Sequence, residues 1–167
     1  MTAAGWTSEE ADAWIGLLET HKQLTRALDA TLDDEHGLGL STLELLGRLA
    51  AAGEEWPRLS ALAAQTGLSL SRVSRHMDAL QRRGLIVRRK CATDSRAVEA
   101  HLTDEGERIA RRAEAAHAEA VRQRFLAQLS AEEVAMLARV FRRFAPRAAA
   151  ACAAVPDGGA PAGPDAG

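Results

Sequence analysis

The sequence predicts a mainly α-helical fold with a small β-wing, and three observations carry that reading. Helix formers dominate a chain of 167 residues in which alanine fills 36 positions, arginine 19 and tyrosine none, while strand formers are scarce. Two short helical segments are joined by a three-residue turn, the helix-turn-helix pattern. Directly after them the apolar period shortens from helical to alternating. The charged fraction of 26% and the hydrophobic fraction of 47% are those of a folded chain, which excludes global disorder. The length suits one domain, or one domain with an appended arm.

A first helix starts near Thr7, where Thr7-Ser8-Glu9-Glu10 reads as a capping box. Trp14, Leu17, Leu18, Leu24, Leu28 and Leu32 then recur at the spacing of one helical face, with His21 among them. Asp33, Asp34 and Glu35, followed by Gly37 and Gly39, are expected to break the helix. Ser41-x-x-Glu44 reads as a second capping box, and Leu43, Leu45, Leu46 and Leu49 carry a short helix to Gly53. Ser60 is expected to cap the next helix, and Gly67-Leu68-Ser69 to make the tight turn after it. The following helix runs from Leu70 to about Arg83 and is capped by Gly84. Its apolar residues Leu70, Val73, Met77 and Leu80 share one face, which leaves Ser71, Arg72, Ser74, Arg75, His76 and Asp78 pointing elsewhere.

Leu85-Ile86-Val87-Arg88-Arg89-Lys90 and Ala97-Val98-Glu99-Ala100-His101-Leu102 read as two strands around a short polar hairpin loop. Helix, turn, helix and hairpin together make a winged helix. Thr103-Asp104 should cap a long helix reaching about Gln128, and Ser130-x-x-Glu133 a third capping box that opens a last helix containing Val134, Leu137, Val140, Phe141 and Phe144. Pro146 is expected to kink or end it. From about Ala153 onward the chain is almost wholly Ala, Pro, Gly and Asp and reads as a disordered tail.

The net charge of −2 conceals a sharp partition. Residues 1–57 carry 3 basic and 11 acidic side chains, and residues 97–167 carry 9 and 10. Residues 58–96 carry 9 basic side chains against Asp78 and Asp94 alone, a local net of +7. Such asymmetry suggests that the middle segment meets an anion, although a solvated basic face without a partner has the same composition.

The ordered series Leu59-Ser60-x-Leu62-Ala63, Gly67-Leu68-Ser69, Val73-Ser74-Arg75, Leu80-x-x-x-Gly84-Leu85-Ile86, Asp94-x-Arg96 and Leu102-Thr103-x-x-Gly106 resembles the MarR family of bacterial transcription regulators. The resemblance spans roughly Trp14 to Phe144. It implies a winged helix-turn-helix flanked by N- and C-terminal dimerisation helices, in a homodimer that binds a pseudo-palindromic operator in double-stranded DNA. The implied organisation is an N-terminal dimerisation helix and connection (8–40), a DNA-binding lobe (41–102), C-terminal dimerisation helices (103–152) and the tail (153–167). A repressor released by a small-molecule ligand is the implied function.

The residues support a DNA site on physical grounds as well. A helix fits the major groove, where Arg72 and Arg75 could each grip guanine O6 and N7 bidentately, with Ser74 and His76 as weaker base contacts. Ser69 and Ser71, at the helix start, suit phosphate. Arg88, Arg89 and Lys90 are expected to contact phosphate without reading sequence. Arg96 resembles the family's minor-groove arginine and Asp94 the carboxylate that orients it, while a hairpin salt bridge is the plainer reading of the pair.

By resemblance, a small aromatic or phenolic effector would enter a cleft drawing on Trp14, Leu17, His21, Leu45 and Leu46, although residues at that spacing also suit a plain core. The scattered histidines suggest no metal, and no cofactor is expected. Cys91 and Cys152 do not form a disulfide framework, no run approaches a membrane span, and the start of the chain does not read as a signal peptide, so a cytoplasmic protein is expected. Cys91, at the wing, is a thiol whose oxidation could perturb DNA contact, or simply an incidental one. No phosphate loop or nucleophile–base pair suggests an enzyme. The competing function is a winged helix used as a protein-interaction module.

Overall fold

Thr7 opens α1 (Ser8–His36) with a complete capping box: its hydroxyl accepts from the Glu10 N–H, and the Glu10 carboxylate accepts from the Thr7 N–H at 2.7 Å. The computed structural model describes residues 5–91, 94 and 96–144, so Cys152, Pro146 and the expected tail lie outside the described residues. The acidic run at 33–35 does not break α1. The helix continues to His36 and stops at Gly37, whose φ of +61° is the left-handed conformation of a glycine C-cap.

α2 (Leu40–Ala51) begins one residue before the expected cap. Gly39 is its N-cap without a side-chain bond, and Asp29 of α1 accepts the Leu40 N–H at 2.8 Å instead. α3 (Leu59–Thr66) likewise starts before Ser60, with Arg58 as N-cap. Arg58 also bridges Glu99, which holds its backbone extended up to the helix start. Gly67, at φ +69°, turns the chain into α4 (Leu70–Arg82), and Ser69 caps that helix.

The wing is an antiparallel pair, β1 (Ile86–Lys90) and β2 (Val98–Leu102), in the register Ile86↔Leu102, Arg88↔Ala100 and Lys90↔Val98. α5 (Asp104–Arg124) is capped by Thr103 and ends earlier than expected, with a 3₁₀ turn following at Leu126–Gln128. One core joins these elements: Leu32, Leu45, Leu46, Leu62, Val73, Met77, Leu80, Ile86, Leu102 and Ala113 are all buried in it. Burying each leucine, isoleucine, valine or methionine among them contributes roughly 1.5–3 kcal/mol before entropy is charged.

The chain divides into two units between Phe125 and Leu126. In the second, Ser130 and Glu133 form the third capping box as expected, with the Ser130 N–H donating to the Glu133 carboxylate at 2.8 Å, and α6 (Ala131–Phe144) follows. Hydrogen bonds from Ser130 hold the Glu133 carboxyl below its ordinary range. Among the described residues no α6 side chain is buried, and Phe144 is 79% exposed.

Candidate nucleic-acid interface

The site grows from the amphipathic sequence of α4. Val73, Met77 and Leu80 pin its inner face to the core, which turns Ser71, Arg72 and Arg75 outward into solvent. Arg72 and Arg75, three residues apart on one face, line a shallow depression of about 260 Å³ with His76 and Ala79. Neither arginine has an ion-pair partner among the described residues.

Ser74, on the same helix, borders a second cavity of about 330 Å³ shared with Asp94 and Arg96 of the hairpin and with Leu59, Ser60 and Leu70. The fold therefore brings the helix and the wing arginine to one opening. Asp94 positions Arg96 through the backbone: its carboxylate accepts the Arg96 N–H at 3.0 Å, and its carbonyl accepts the Ala97 N–H at 2.9 Å. The carboxylate thus shapes the turn rather than holding the guanidinium.

The other expected site residues are placed differently. The Ser69 hydroxyl already accepts the Arg72 N–H and lies 3.1 Å from the Ser71 hydroxyl, so it serves the helix start. Arg88 turns towards α4, where its guanidinium meets the Asp78 carboxylate at 2.7 Å and donates to Gln81. Arg89 pairs with Glu99 at 3.0 Å and lies 4.1 Å over the Trp56 ring. Both already hold partners within the chain, whereas Lys90 is exposed at the strand end. Sequence reasoning missed Trp56, Glu99 and His101, which form the far side of the wing; Trp56 stacks on His101 at 5.1 Å. The cross-strand pair Arg89↔Glu99 is the signal that would have found them, once the hairpin register is known. The Cys91 thiol and then Arg89 hold the Glu99 carboxyl below its ordinary range. Cys91 itself is buried and accepts from Arg58 at 3.4 Å, so it is no open wing thiol.

His76 faces inward, with Nδ1 2.9 Å from the Thr42 hydroxyl of α2. Burial holds its imidazole below the ordinary value, and the charges of Arg72 and Arg75 push the same way. The unfolded chain therefore binds the proton more readily than the folded one, so stability falls as pH drops from about 6.5 towards the folded value. His76→Asn should remove part of that acid sensitivity, which urea midpoints measured between about pH 5 and about pH 8 would reveal. Identical profiles for the two proteins would exclude His76 as a contributor.

The residues expected to form an effector cleft do not converge within one chain. Leu45 and Leu46 are fully buried core side chains, packed away because α2 is apolar on the face it turns to the core. Trp14 and Leu17 stand about half exposed on α1, and His21 is exposed there too. Among the described residues no group of three or more His, Cys, Asp or Glu could hold a metal ion, and no helix is long and apolar enough to cross a membrane.

Two helices joined by a tight turn and seated on a core, with a two-stranded wing after them, define the class of winged helix-turn-helix proteins. A family model described as MarR family matches residues 36–97. Sco3205 of Streptomyces coelicolor, a MarR family transcriptional regulator solved in complex with DNA, is 31% identical over 84% of this chain and 91% of that one, with a TM-score of 0.76. AbsC of the same organism, also a MarR family transcriptional regulator, is 28% identical over 89% and 99%, with a TM-score of 0.75. The PcaV transcriptional regulator of Streptomyces coelicolor, solved with its natural ligand, is 27% identical over 89% and 99%, with a TM-score of 0.64. A search of curated proteins gave no match. The chain belongs to the MarR family of transcriptional regulators.

Proposed function

We propose that the protein is a sequence-specific, dimeric DNA-binding regulator, a repressor released by a small-molecule ligand. One observation carries the reading: Arg72 and Arg75 project from the outer face of α4, and Ser74 of the same helix borders one cavity with the wing residues Asp94 and Arg96. Such a pair of elements suits a major groove and the adjacent minor groove. Sco3205, solved in complex with DNA, supports it. In this reading Ser71 and Lys90 meet phosphate, Arg72 and Arg75 read bases, and Arg96 enters the minor groove. Residues 41–102 form the DNA-binding lobe, and residues 8–40 and 103–152 the dimerisation segments.

The dimer is supported by apolar surface that one chain leaves open. Trp14, Ile15, Leu17 and Leu18 of α1 are 45–51% exposed, and Met136, Phe141 and Phe144 of α6 are exposed as well. Patches of this kind mark surfaces covered by a partner, and a second copy is the economical one. Binding of a small-molecule effector is supported by PcaV, solved with its natural ligand; a cleft here would need the second copy to complete it. The proposed location is the cytoplasm, and no catalytic role is proposed.

Arg96→Ala should weaken operator binding about tenfold, or about 1.4 kcal/mol, in a fluorescence anisotropy titration. Unchanged affinity would remove the wing from the interface. Salt-insensitive binding of the unaltered protein would instead favour a protein-interaction module. A panel of aromatic and phenolic acids added to the complex tests release; no displacement by any would count against that class of effector.

A further inference from the structure

Within the basic segment, Arg83 is turned to the end of α1. Arg83, the C-cap of α4, donates from Nη1 to the Gly37 carbonyl at 2.7 Å and from Nη2 to the His36 carbonyl at 2.9 Å. These are carbonyls at the C-terminal end of α1, where a helix runs out of its own N–H donors. Asp33, Asp34 and Glu35 crowd the last turn of α1, the negative end of its dipole, where acidic charge is unfavourable. A guanidinium from another helix offsets both deficits.

We infer that Arg83 is a positioning residue for DNA recognition: it reads no base, but ties the end of the recognition helix to the end of α1. At mid-helix the tie between His76 and Thr42 holds α4 to α2, and Asp29 of α1 in turn accepts the first N–H of α2. Polar ties therefore run from α4 to α1 both directly and through α2. Because α1 carries the proposed dimer contact, the angle between α4 and α1 sets the distance between the two recognition helices of a dimer. The inference rests on that dimeric reading. The Arg83 contact is exposed, so its loss should cost the fold little while loosening the geometry.

The test uses the full chain and its selected operator, together with the same operator lengthened or shortened by a base pair or two at its centre. The unaltered protein should strongly prefer the natural spacing. In Arg83→Ala that preference should shrink about tenfold, with the slope of log affinity against log salt unchanged. Arg83→Lys, whose ammonium still reaches a carbonyl, should restore part of the preference. If Arg83→Ala does not fold, Arg83→Gln, which keeps one amide donor, is read in the same way. An unaltered spacing preference overturns the inference. So does a salt slope shallower by about one per arginine lost, the mark of a phosphate contact. Sedimentation of the unaltered protein separates the two readings: a monomer on DNA defeats the dimer and the inference together, whereas a dimer with unaltered spacing preference defeats the inference alone.

Discussion

Replacing Gly106 by alanine is expected to destabilise the protein by about 2–4 kcal/mol, lowering Tm by about 4–16 °C. Helix propensity alone predicts the opposite sign, since alanine is favoured over glycine inside a helix by about 1 kcal/mol. The clash decides it. A Cβ built on Gly106 would lie 1.9 Å from the Leu85 carbonyl oxygen, 2.9 Å from the Leu85 carbonyl carbon and 3.3 Å from Leu102 Cδ2. The obstacle is backbone, and it cannot rotate away. That same carbonyl accepts the Thr103 N–H at 3.1 Å, and the Thr103 hydroxyl donates to the Gly84 carbonyl at 2.8 Å while accepting the Gly106 N–H. Moving α5 aside would break this junction and disturb the Ile86↔Leu102 end of the wing ladder. Gly47→Ala is the internal control: it too is helical, nothing lies within 4 Å of its added Cβ, and the propensity gain should appear there unopposed. Denaturant unfolding of both variants checks the pair. A Gly106→Ala protein as stable as its parent would mean that the junction yields more easily than its hydrogen bonds suggest.

Gly106 also illustrates what was legible in the sequence. The motif Leu102-Thr103-x-x-Gly106 carried part of the family resemblance, but only the packing of α5 against Leu85 explains why a helix tolerates glycine there. Local signals suffice where the local chain supplies the chemistry. The boxes at Thr7 and Ser130 form because each hydroxyl and each glutamate find their partners three residues away. Ser41 and Ser60 carry similar signals yet lie one residue inside their helices. Beside Ser41, Asp29 caps the helix instead by accepting the N–H of Leu40, eleven residues away, and at Ser60 the bridge from Arg58 to Glu99 sets the approach. The acidic run at 33–35 stays inside α1, and the arginine that meets that helix end, Arg83, lies 46 residues beyond Gly37. Tertiary partners of this kind leave no mark on local periodicity.

The second large effect belongs to Arg75. A net charge of +7 over residues 58–96 treats all its basic side chains alike, but the structure sorts them. Arg83, Arg88 and Arg89 hold partners within the chain, whereas Arg72 and Arg75 stand on the outer face of α4 with no ion pair among the described residues. If Arg75 reads a guanine in each half-site, Arg75→Ala removes two bidentate contacts per dimer. Each is worth about 1–3 kcal/mol, so specific binding should weaken at least about thirtyfold. Arg88→Ala should cost far less affinity, because that guanidinium is engaged with Asp78 and Gln81. Charge and readout can then be separated with Arg75→Lys. Lysine keeps the positive charge and most of the salt dependence but lacks the planar fork that grips O6 and N7 together. Base preference should therefore relax in both variants at one position per half-site, while only the alanine variant loses the electrostatic part. Selection of bound sequences from a randomised library measures this directly. If the consensus from Arg75→Ala matched the parent's, Arg75 would be a phosphate contact or a solvated side chain. The reading of bases would then fall to Arg72, whose own alanine variant should show the relaxed position instead.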